Sequence, residues 1–213
     1  MAREQHLLPS IARKSPLDKV VVSGVYGNSD EGANIFIKEN HPTSIVQIEI
    51  KSETTDVFLE KIKTSLGIEM SFETNRSAFF NKTRIIWTGP NKWIITEPES
   101  RNLKSFLNSE LKKIDIALID LSHGRSSIGI SGLMTRDLLS KGAAIDWHPN
   151  IFLVNHSVQT TLFNLPVLIC CEENNNFNIF VARGFAHNLW RWIAEAAEEF
   201  GYDVEFVNAD IEE

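Results

Sequence analysis

The residue types best suited to catalysis come together at Asp120, Ser122 and His123. An acid, a hydroxyl and an imidazole are the groups used in nucleophilic catalysis. Consecutive side chains of a strand point to opposite faces, however, and catalytic triads assemble from distant segments of a chain. Asp120 and Ser122 share one side of a predicted strand, so the sequence favours a structural role in which they satisfy a turn or a helix N-terminus.

The two cysteines, Cys170 and Cys171, are adjacent and end an apolar strand. Their Cβ atoms diverge in a strand, so a disulfide between them would require a distorted backbone. At least one should be buried and unreactive, because a reactive thiol needs a nearby cation or helix N-terminus and the next residues are Glu172 and Glu173. Free thiols of this kind suit a reducing compartment.

Metal and anion sites have little support. The histidines are scattered, and none has a Cys, Asp or His at the spacing of a zinc or iron site. They are His6, His41, His123, His148, His156 and His187. Residues 129–132 lie between a predicted strand and helix, where backbone N–H groups could hold an anion. The stretch matches neither the dinucleotide fingerprint nor the P-loop, so we expect a plain turn. We predict no catalytic, cofactor-binding or metal-binding residues.

Three tryptophans are candidates for contact with a partner protein. The last predicted helix carries an ordinary core-facing stripe, formed by Leu189, Ile193, Ala196 and Phe200. Trp190 and Trp192 fall on opposite margins of this stripe, where each could anchor a partner or cap the edge of the core. The same two interpretations apply to Trp147, which lies in a polar loop.

The composition bounds the class of protein. The 213 residues, 43% of them hydrophobic, suffice for one domain or two small ones with a buried core. The net charge of −7, with basic residues dispersed among acids, argues against a nucleic-acid partner. The first residues lack the design of a signal peptide, and no apolar run approaches the roughly 20 residues that span a bilayer. We therefore expect a cytoplasmic protein without a membrane partner.

The periodicity of apolar residues predicts an α+β fold with two related halves. The first half, residues 36–124, is predicted to contain strands at 45–50, 84–87, 92–95 and 114–121 and helices at 57–68 and 102–113. This order is a split βαβ, or ferredoxin-like, pattern. The second half, residues 125–213, has a related order, with strands at 126–131, 158–163, 167–171, 177–181 and 204–206 and helices at 134–141 and 186–200. The two halves are expected to form one compact unit.

Residues 1–35 carry turn formers and charges without sustained periodicity, and only Val20, Val21 and Val22 look like a strand. The sequence predicts an extended N-terminal arm with a short β segment. A poorly ordered chain end is the alternative.

Several segments together resemble the gamma subunit family of heterotetrameric sarcosine oxidase, in the right order and over residues 13–206. They are residues 13–17, 87–93, 120–122, 137–142, 146–149 and 183–190. Gly184 departs from the resemblance, since the family has serine there. That family in turn resembles the folate-binding aminomethyltransferase of the glycine cleavage system. The acidic Asp-Asp pair of those enzymes is missing from the corresponding residues 163–171.

The resemblance implies a four-subunit enzyme that oxidatively demethylates sarcosine to glycine and passes the one-carbon unit to tetrahydrofolate. It implies that FAD, FMN, NAD and tetrahydrofolate are bound by the other subunits, alpha, beta and delta, and that this chain has a structural role without catalytic residues. The candidate contacts with these partners are Pro16, Leu17, Trp147, Trp190 and Trp192. We expect deletion of residues 1–18 to weaken assembly more than folding.

Two other functions remain open from the sequence. The first is a free-standing folate-binding protein or aminomethyltransferase-like enzyme. The second is a module that binds another small molecule in the groove between the halves.

Overall fold

The structure is a computed structural model that describes residues 13–28, 32–51, 55–70 and 73–206. Within these ranges the strands are β1 (Gly24–Tyr26), β2 (Ile35–Glu39), β3 (Thr43–Ile50), β4 (Ser77–Phe80), β5 (Thr83–Gly89), β6 (Lys92–Pro98), β7 (Ile116–Asp120), β8 (Arg125–Ser131), β9 (Ser157–Leu162), β10 (Leu165–Glu173), β11 (Asn176–Ala182) and β12 (Tyr202–Glu205). The α-helices are α1 (Thr55–Leu66), α2 (Leu103–Glu110), α3 (Thr135–Ser140) and α4 (Ala186–Ala197). No helix of the described ranges is long and apolar enough to cross a membrane.

Five strands form the first sheet, in the order β4-β5-β6-β3-β7, with every pair of neighbours antiparallel. Alternation along β3 separates its two faces. Val46, Ile48 and Ile50 pack beneath the two helices α1 and α2, in one cluster with Phe58 of α1. Ile45 lies on the opposite face. The helices therefore cover one face of this sheet and leave the other for the second sheet.

Seven strands form the second sheet, in the order β1-β12-β2-β8-β11-β10-β9. The outer face of this sheet packs against α3 and α4 and forms a cluster that we name the outer core. Its buried side chains include Ile37, Ile130, Leu138, Ile179 and Leu189. All neighbours in the sheet are antiparallel except β12 and β2, which are parallel.

The inner faces of the two sheets meet in a small apolar cluster. Its buried side chains are Ile45, Ile86 and Ile94 from the first sheet and Leu168, Cys170 and Phe180 from the second. The fold thus has four layers, helices outside and two sheets inside, which is one of the stable ways to bury the apolar faces of sheets and helices.

The predicted α+β class with two related halves is confirmed, and both halves follow the order βαβββαβ. The first half runs from β3 to β7 and the second from β8 to β12. Strand β4 was missed by the sequence analysis. This additional strand lies at the sheet edge beyond β5. The remaining order is β5-β6-β3-β7, in which β6 lies between the parallel strands β3 and β5 and is antiparallel to both, as in the predicted split βαβ pattern.

The N-terminal residues extend the second sheet. Strand β2 lies between β12 and β8, and β1 lies outside β12. The sequence-based boundary at residue 36 thus falls within β2, a strand that the sequence analysis also missed. The predicted strand at Val20–Val22 is wrong. Val20 lies in a turn, in which the Val20 amide donates to the Leu17 carbonyl, and the first strand begins only at Gly24. Residues 1–12 lie outside the described ranges.

Candidate functional site between the two sheets

A cavity of about 310 Å³ opens beside the apolar cluster between the two sheets. Its lining mixes charged, amide and aromatic side chains, among them Arg84, Glu97, Glu172, Asn178 and Phe79. Arg84 is only 5% exposed although it begins an apolar stretch of β5. A buried guanidinium requires partners, and these partners define the site.

Arg84 of β5 contacts three other segments of the chain. Its Nη1 donates to Ser77 Oγ of β4 at 3.0 Å and to Asn155 Oδ1 of the loop before β9 at 3.1 Å. Its Nε lies 3.2 Å from Glu172 Oε1 of β10, an ion pair whose N–H is not aligned for a hydrogen bond. The Phe79 ring lies 4.8 Å from the guanidinium carbon. Arg84 therefore fastens the first sheet to the second.

The polar contacts continue from Glu172 across the second sheet. Asn178 Nδ2 donates to Glu172 Oε1 at 3.5 Å, and Asn178 Oδ1 accepts from Ser127 Oγ at 2.6 Å and from Asn40 Nδ2 at 3.3 Å. Buried polar groups are costly unless they are bonded, and this chain of contacts satisfies them in pairs. The arrangement specifies how the sheets pack. Among these residues, no carboxylate lies beside a nucleophilic group that is free to react.

Glu97, also in the cavity wall, is fully engaged. Arg101 donates to both of its carboxylate oxygens, from Nε at 2.7 Å and from Nη2 at 2.8 Å, and Thr83 Oγ1 donates at 3.0 Å. A bidentate pair of this kind fixes the carboxylate geometrically. Glu97 therefore acts as an anchor for the loop that precedes α2.

Asp120 and Ser122 form the turn that the sequence predicted. The Ser122 amide donates to Asp120 Oδ1 at 2.9 Å, and Ser122 Oγ accepts from the Ile45 amide at 2.9 Å. Partial burial opposes ionisation of Asp120, but the hydrogen bonds from Ser122 and the nearby His123 outweigh it and hold the pKa of the carboxyl below its usual value. His123 is exposed and makes no contact with the Ser122 hydroxyl that would activate it.

Cys170 and Cys171 are buried, as predicted, on opposite faces of β10. Burial raises the pKa of the Cys170 thiol to about 11, although Arg84 and a hydrogen bond with Ser77 act in the opposite direction. Burial also raises the pKa of Cys171, against the effect of Arg136. Both groups are thiols at neutral pH, and such thiols are poor nucleophiles.

This protonation state gives a direct prediction. At pH 8 the Cys170 thiol, with a pKa of about 11, is ionised in roughly one molecule in a thousand, and burial also raises the pKa of the Cys171 thiol. Ellman's reagent should therefore label neither cysteine rapidly in the native protein. Both should react at once in concentrated guanidinium chloride. The Cys170→Ser and Cys171→Ser variants assign any residual signal. Native labelling at the rate of free cysteine would contradict the prediction.

Residues 129–132 are the end of β8 and the bend that follows it. Gly129, Ile130 and Ser131 belong to β8, and a turn follows at Gly132. Gly132 has φ +119°, and a Cβ there would lie 2.2 Å from the Asn34 carbonyl oxygen, so glycine is required by the close approach of the backbone. In the described ranges, no three His, Cys, Asp or Glu side chains are grouped to hold a metal ion.

The five candidate partner contacts are not brought together on one open surface. Leu17, Trp147 and Trp192 are buried in the outer core, whereas Pro16 and Trp190 are half-buried. The Trp192 ring packs directly against Gly142, where an added Cβ would lie 2.4 Å from a ring carbon. Burial within this chain leaves little of Leu17, Trp147 or Trp192 for another protein.

Arg13 is a structural residue that the sequence analysis did not single out. Its Nη1 donates to the Thr43 carbonyl at 3.0 Å and approaches Glu99 Oε2 at 3.2 Å, while Nη2 donates to the Ser122 carbonyl. Thr43 follows the link from β2 to β3, and Ser122 lies in the link from β7 to β8. Arg13 thus joins both points at which the chain passes between the sheets. The signal in the sequence was its place at the start of the motif at residues 13–17.

Comparison with known proteins places the chain in a family. The model of the sarcosine oxidase, gamma subunit family matches residues 52–199. The chain belongs to the sarcosine oxidase gamma subunit family. Among curated relatives, the sarcosine oxidase subunit gamma of Corynebacterium sp. (strain P-1) is 31% identical and that of Corynebacterium sp. (strain U-96) is 29% identical, each over 118 residues. The matched stretch covers 55% of this chain and 58% of each relative, so it spans little more than half of their length.

Solved structures confirm the fold expected of this gamma subunit family. A chain of the heterotetrameric sarcosine oxidase from Corynebacterium sp. U-96 in complex with pyrrole 2-carboxylate matches with a TM-score of 0.76 at 22% identity, covering 88% of this chain and 96% of that chain. Glycine cleavage system aminomethyltransferase T from Bartonella henselae matches with a TM-score of 0.58 at 12% identity, covering 82% of this chain and 48% of that chain. At such identities the likeness concerns the fold alone.

Proposed function

We propose that this chain is the gamma subunit of a four-subunit sarcosine oxidase, in which it has a structural and assembly role. The observation that carries the proposal is the family match over residues 52–199. The similarity in fold to a chain of a heterotetrameric sarcosine oxidase supports it.

The chemistry of the described residues supports a non-catalytic role. Asp120 and Ser122 are engaged in a turn, Glu97 is held by Arg101, and Glu172 is paired with Arg84. The two thiols are buried and protonated at neutral pH. These carboxylates, this serine and these thiols are therefore engaged in holding the fold together.

In the proposed complex, sarcosine is oxidatively demethylated to glycine and tetrahydrofolate accepts the one-carbon unit. FAD, FMN, NAD and tetrahydrofolate are held by the alpha, beta and delta subunits, and the complex works in the cytoplasm. Of the five candidate contacts, Pro16 and Trp190 keep part of their surface open, so we assign contact with the other subunits to these two.

The test is co-expression of the tagged chain with the proteins encoded beside its gene, followed by affinity purification. The expected product is a yellow complex of four different subunits that consumes oxygen when sarcosine is added. When the tag is moved to a flavin-binding subunit and this chain is omitted, the yield of assembled complex should fall while the flavin-binding subunits keep their flavin. A chain that purifies alone and colourless would overturn the proposal.

The folate-binding alternative makes a different prediction, since it requires measurable affinity of the isolated chain for tetrahydrofolate. The place of the acidic pair is taken by β10, whose Leu168 and Cys170 lie in the cluster between the sheets. Titration of the isolated chain with tetrahydrofolate, followed by tryptophan fluorescence, separates the two functions.

A further inference from the structure

The two sheets end in four edge strands, and three of these edges are short or partly closed. Strand β1 has only three residues. At β4, the Ser77 amide donates to the Asn155 carbonyl. At β9, the Ser157 amide donates to the Asn75 carbonyl, and the Phe163 amide just beyond its end donates to the Gly142 carbonyl. The fourth edge, β7, has no such cover among the described residues.

The register identifies which backbone groups of β7 are open. The Leu121 amide donates to the Ile45 carbonyl, and Ile119 and Ala117 follow it at alternate positions opposite β3. In an antiparallel ladder, alternate residues bond to the same neighbour. The N–H and C=O groups of Ile116, Leu118 and Asp120 therefore point away from β3. No hydrogen bond to these groups occurs in the described part of the chain.

Strand β7 also lacks the usual protection of an edge. Natural edge strands are commonly interrupted by proline, lysine or a bulge, which prevents pairing with other chains. The residues of β7 are Ile-Ala-Leu-Ile-Asp, and its pairing with β3 has no register shift. Ala117 is exposed, and Ile119 is 48% exposed. An open, regular and apolar edge of this kind favours pairing with a further strand.

The internal repeat shows what kind of element such an edge accepts. Strand β12 ends the order βαβββαβ in the second half as β7 does in the first, although β2 lies between β12 and β8 whereas β7 pairs directly with β3. The outer edge of β12 is paired, antiparallel, with β1. The outer edge of β7 has no strand from the described residues beside it. Within the described ranges, the last strand of the second half is thus covered by a further antiparallel strand, and the last strand of the first half is not.

We propose that the β7 edge is completed by an antiparallel strand of another subunit of the oxidase, which rests on the proposed function of this chain as a subunit. The partner strand has apolar side chains opposite Ile119 and a basic side chain near Asp120. Asp115 before β7 is paired with Lys51 of this chain, whereas Asp120 at the end of the strand is exposed and favours a partner of opposite charge. The interaction is a β-augmentation, in which main-chain hydrogen bonds hold the two chains together.

Hydrogen exchange tests the proposal directly. The outward amides of Ile116, Leu118 and Asp120 should exchange at least about tenfold more slowly in the purified complex than in the isolated chain. The amides of Ala117 and Ile119, already bonded to β3, serve as the internal control and should be protected in both states. Equal exchange of the outward amides in complex and isolated chain would overturn the inference.

Substitution provides a second measurement. Ile119→Lys places a charge on the edge and should weaken recovery of the other subunits at least about tenfold. Ile151→Lys is the matched control, since Ile151 is 55% exposed in the loop before β9. Circular dichroism checks that both variants fold. A folded Ile119→Lys chain that assembles like the unaltered chain would refute the docking edge.

The outcomes separate this inference from the proposed function. A chain that recovers no other subunit overturns both. A complex whose outward β7 amides remain fast overturns the docking edge alone. If these amides are slow in the isolated monomer and become fast when residues 2–12 are removed, the edge is occupied by the chain's own N-terminal segment and the proposal is wrong. Protection that depends on the concentration of the isolated chain identifies a second copy instead.

Discussion

Replacing Leu17 with alanine is expected to lower the free energy of unfolding by about 2 to 4 kcal/mol. Leu17 is 1% exposed and packs in the outer core of the seven-stranded sheet. The Ser15 hydroxyl accepts from its amide at 2.8 Å, which fixes the turn that presents the side chain. Truncation leaves a cavity that the rigid sheet cannot close. Urea unfolding followed by circular dichroism measures the change.

Val22→Ala is the control, because Val22 lies in the same segment and is 70% exposed. Its effect should stay within about 0.5 kcal/mol. Equal stability of the Leu17→Ala variant and the unaltered chain would show that the segment does not belong to the folded core.

The burial of Leu17 changes how the N-terminal arm should be tested. Deleting residues 1–18 removes Leu17 and Arg13, so we expect it to weaken folding together with assembly. Deleting residues 2–12 leaves both side chains in place. The shorter deletion also keeps Pro16, so a loss of assembly at unchanged stability would show that residues 2–12 contact a partner subunit in addition to Pro16.

Replacing Glu172 with glutamine is expected to cost about 2 to 3 kcal/mol of stability. The change keeps the shape of the side chain and removes the charge that faces Arg84 at 3.2 Å. Arg84 then remains as an unpaired cation between the two sheets. In this pair only the cation is buried, and removing the anion alone is costlier than removing both partners, because the remaining charge is left without compensation.

Two comparisons isolate this effect. Glu173→Gln makes the same chemical change at the adjacent, exposed residue and should leave the unfolding midpoint unchanged within error. The double variant Arg84→Met, Glu172→Met should recover much of the loss. A Glu172→Gln chain as stable as the Glu173→Gln chain would mean that solvent, and not Glu172, compensates Arg84.

Much of the fold followed from periodicity because the elements concerned have one clear apolar face. The stripe that includes Leu189 and Ile193 predicted α4, and alternation at Val46, Ile48 and Ile50 predicted β3. Strand β2 alternates in the same way, with Ile35 and Ile37 buried, but its five residues follow a stretch of turn formers and cross the boundary between the arm and the first half, where the sequence predicts no strand. Strand β4 has four residues, too few for a period to show.

The site was predicted less completely, for a physical reason. The Asp120–Ser122 turn is local, so the sequence alone could identify it. Arg84 and Glu172 are joined only by the packing of two sheets, and neither lies in a motif. The signal in the sequence was Arg84 itself, a charged residue within the apolar run that begins β5. Such a position predicts that the side chain is buried but does not identify the residue that it contacts. The burial of Trp147 and Trp192 likewise depended on which sheet face their elements cover.

The insertion of β2 between β8 and β12 sets an order for folding during synthesis. All strands of the five-stranded sheet lie in the continuous stretch 43–120, which can pair as soon as it leaves the ribosome. Strand β2, by contrast, pairs with residues far along the chain: Ile35 lies opposite Tyr202, and Ile37 lies opposite Ile130. It cannot pair on both sides until these residues have been synthesised. Closing so long a loop is slow. The apolar side chains of Leu17, Ile35 and Ile37 are therefore the ones that the nascent chain exposes longest, and a chaperone that protects this protein would be most effective at that segment.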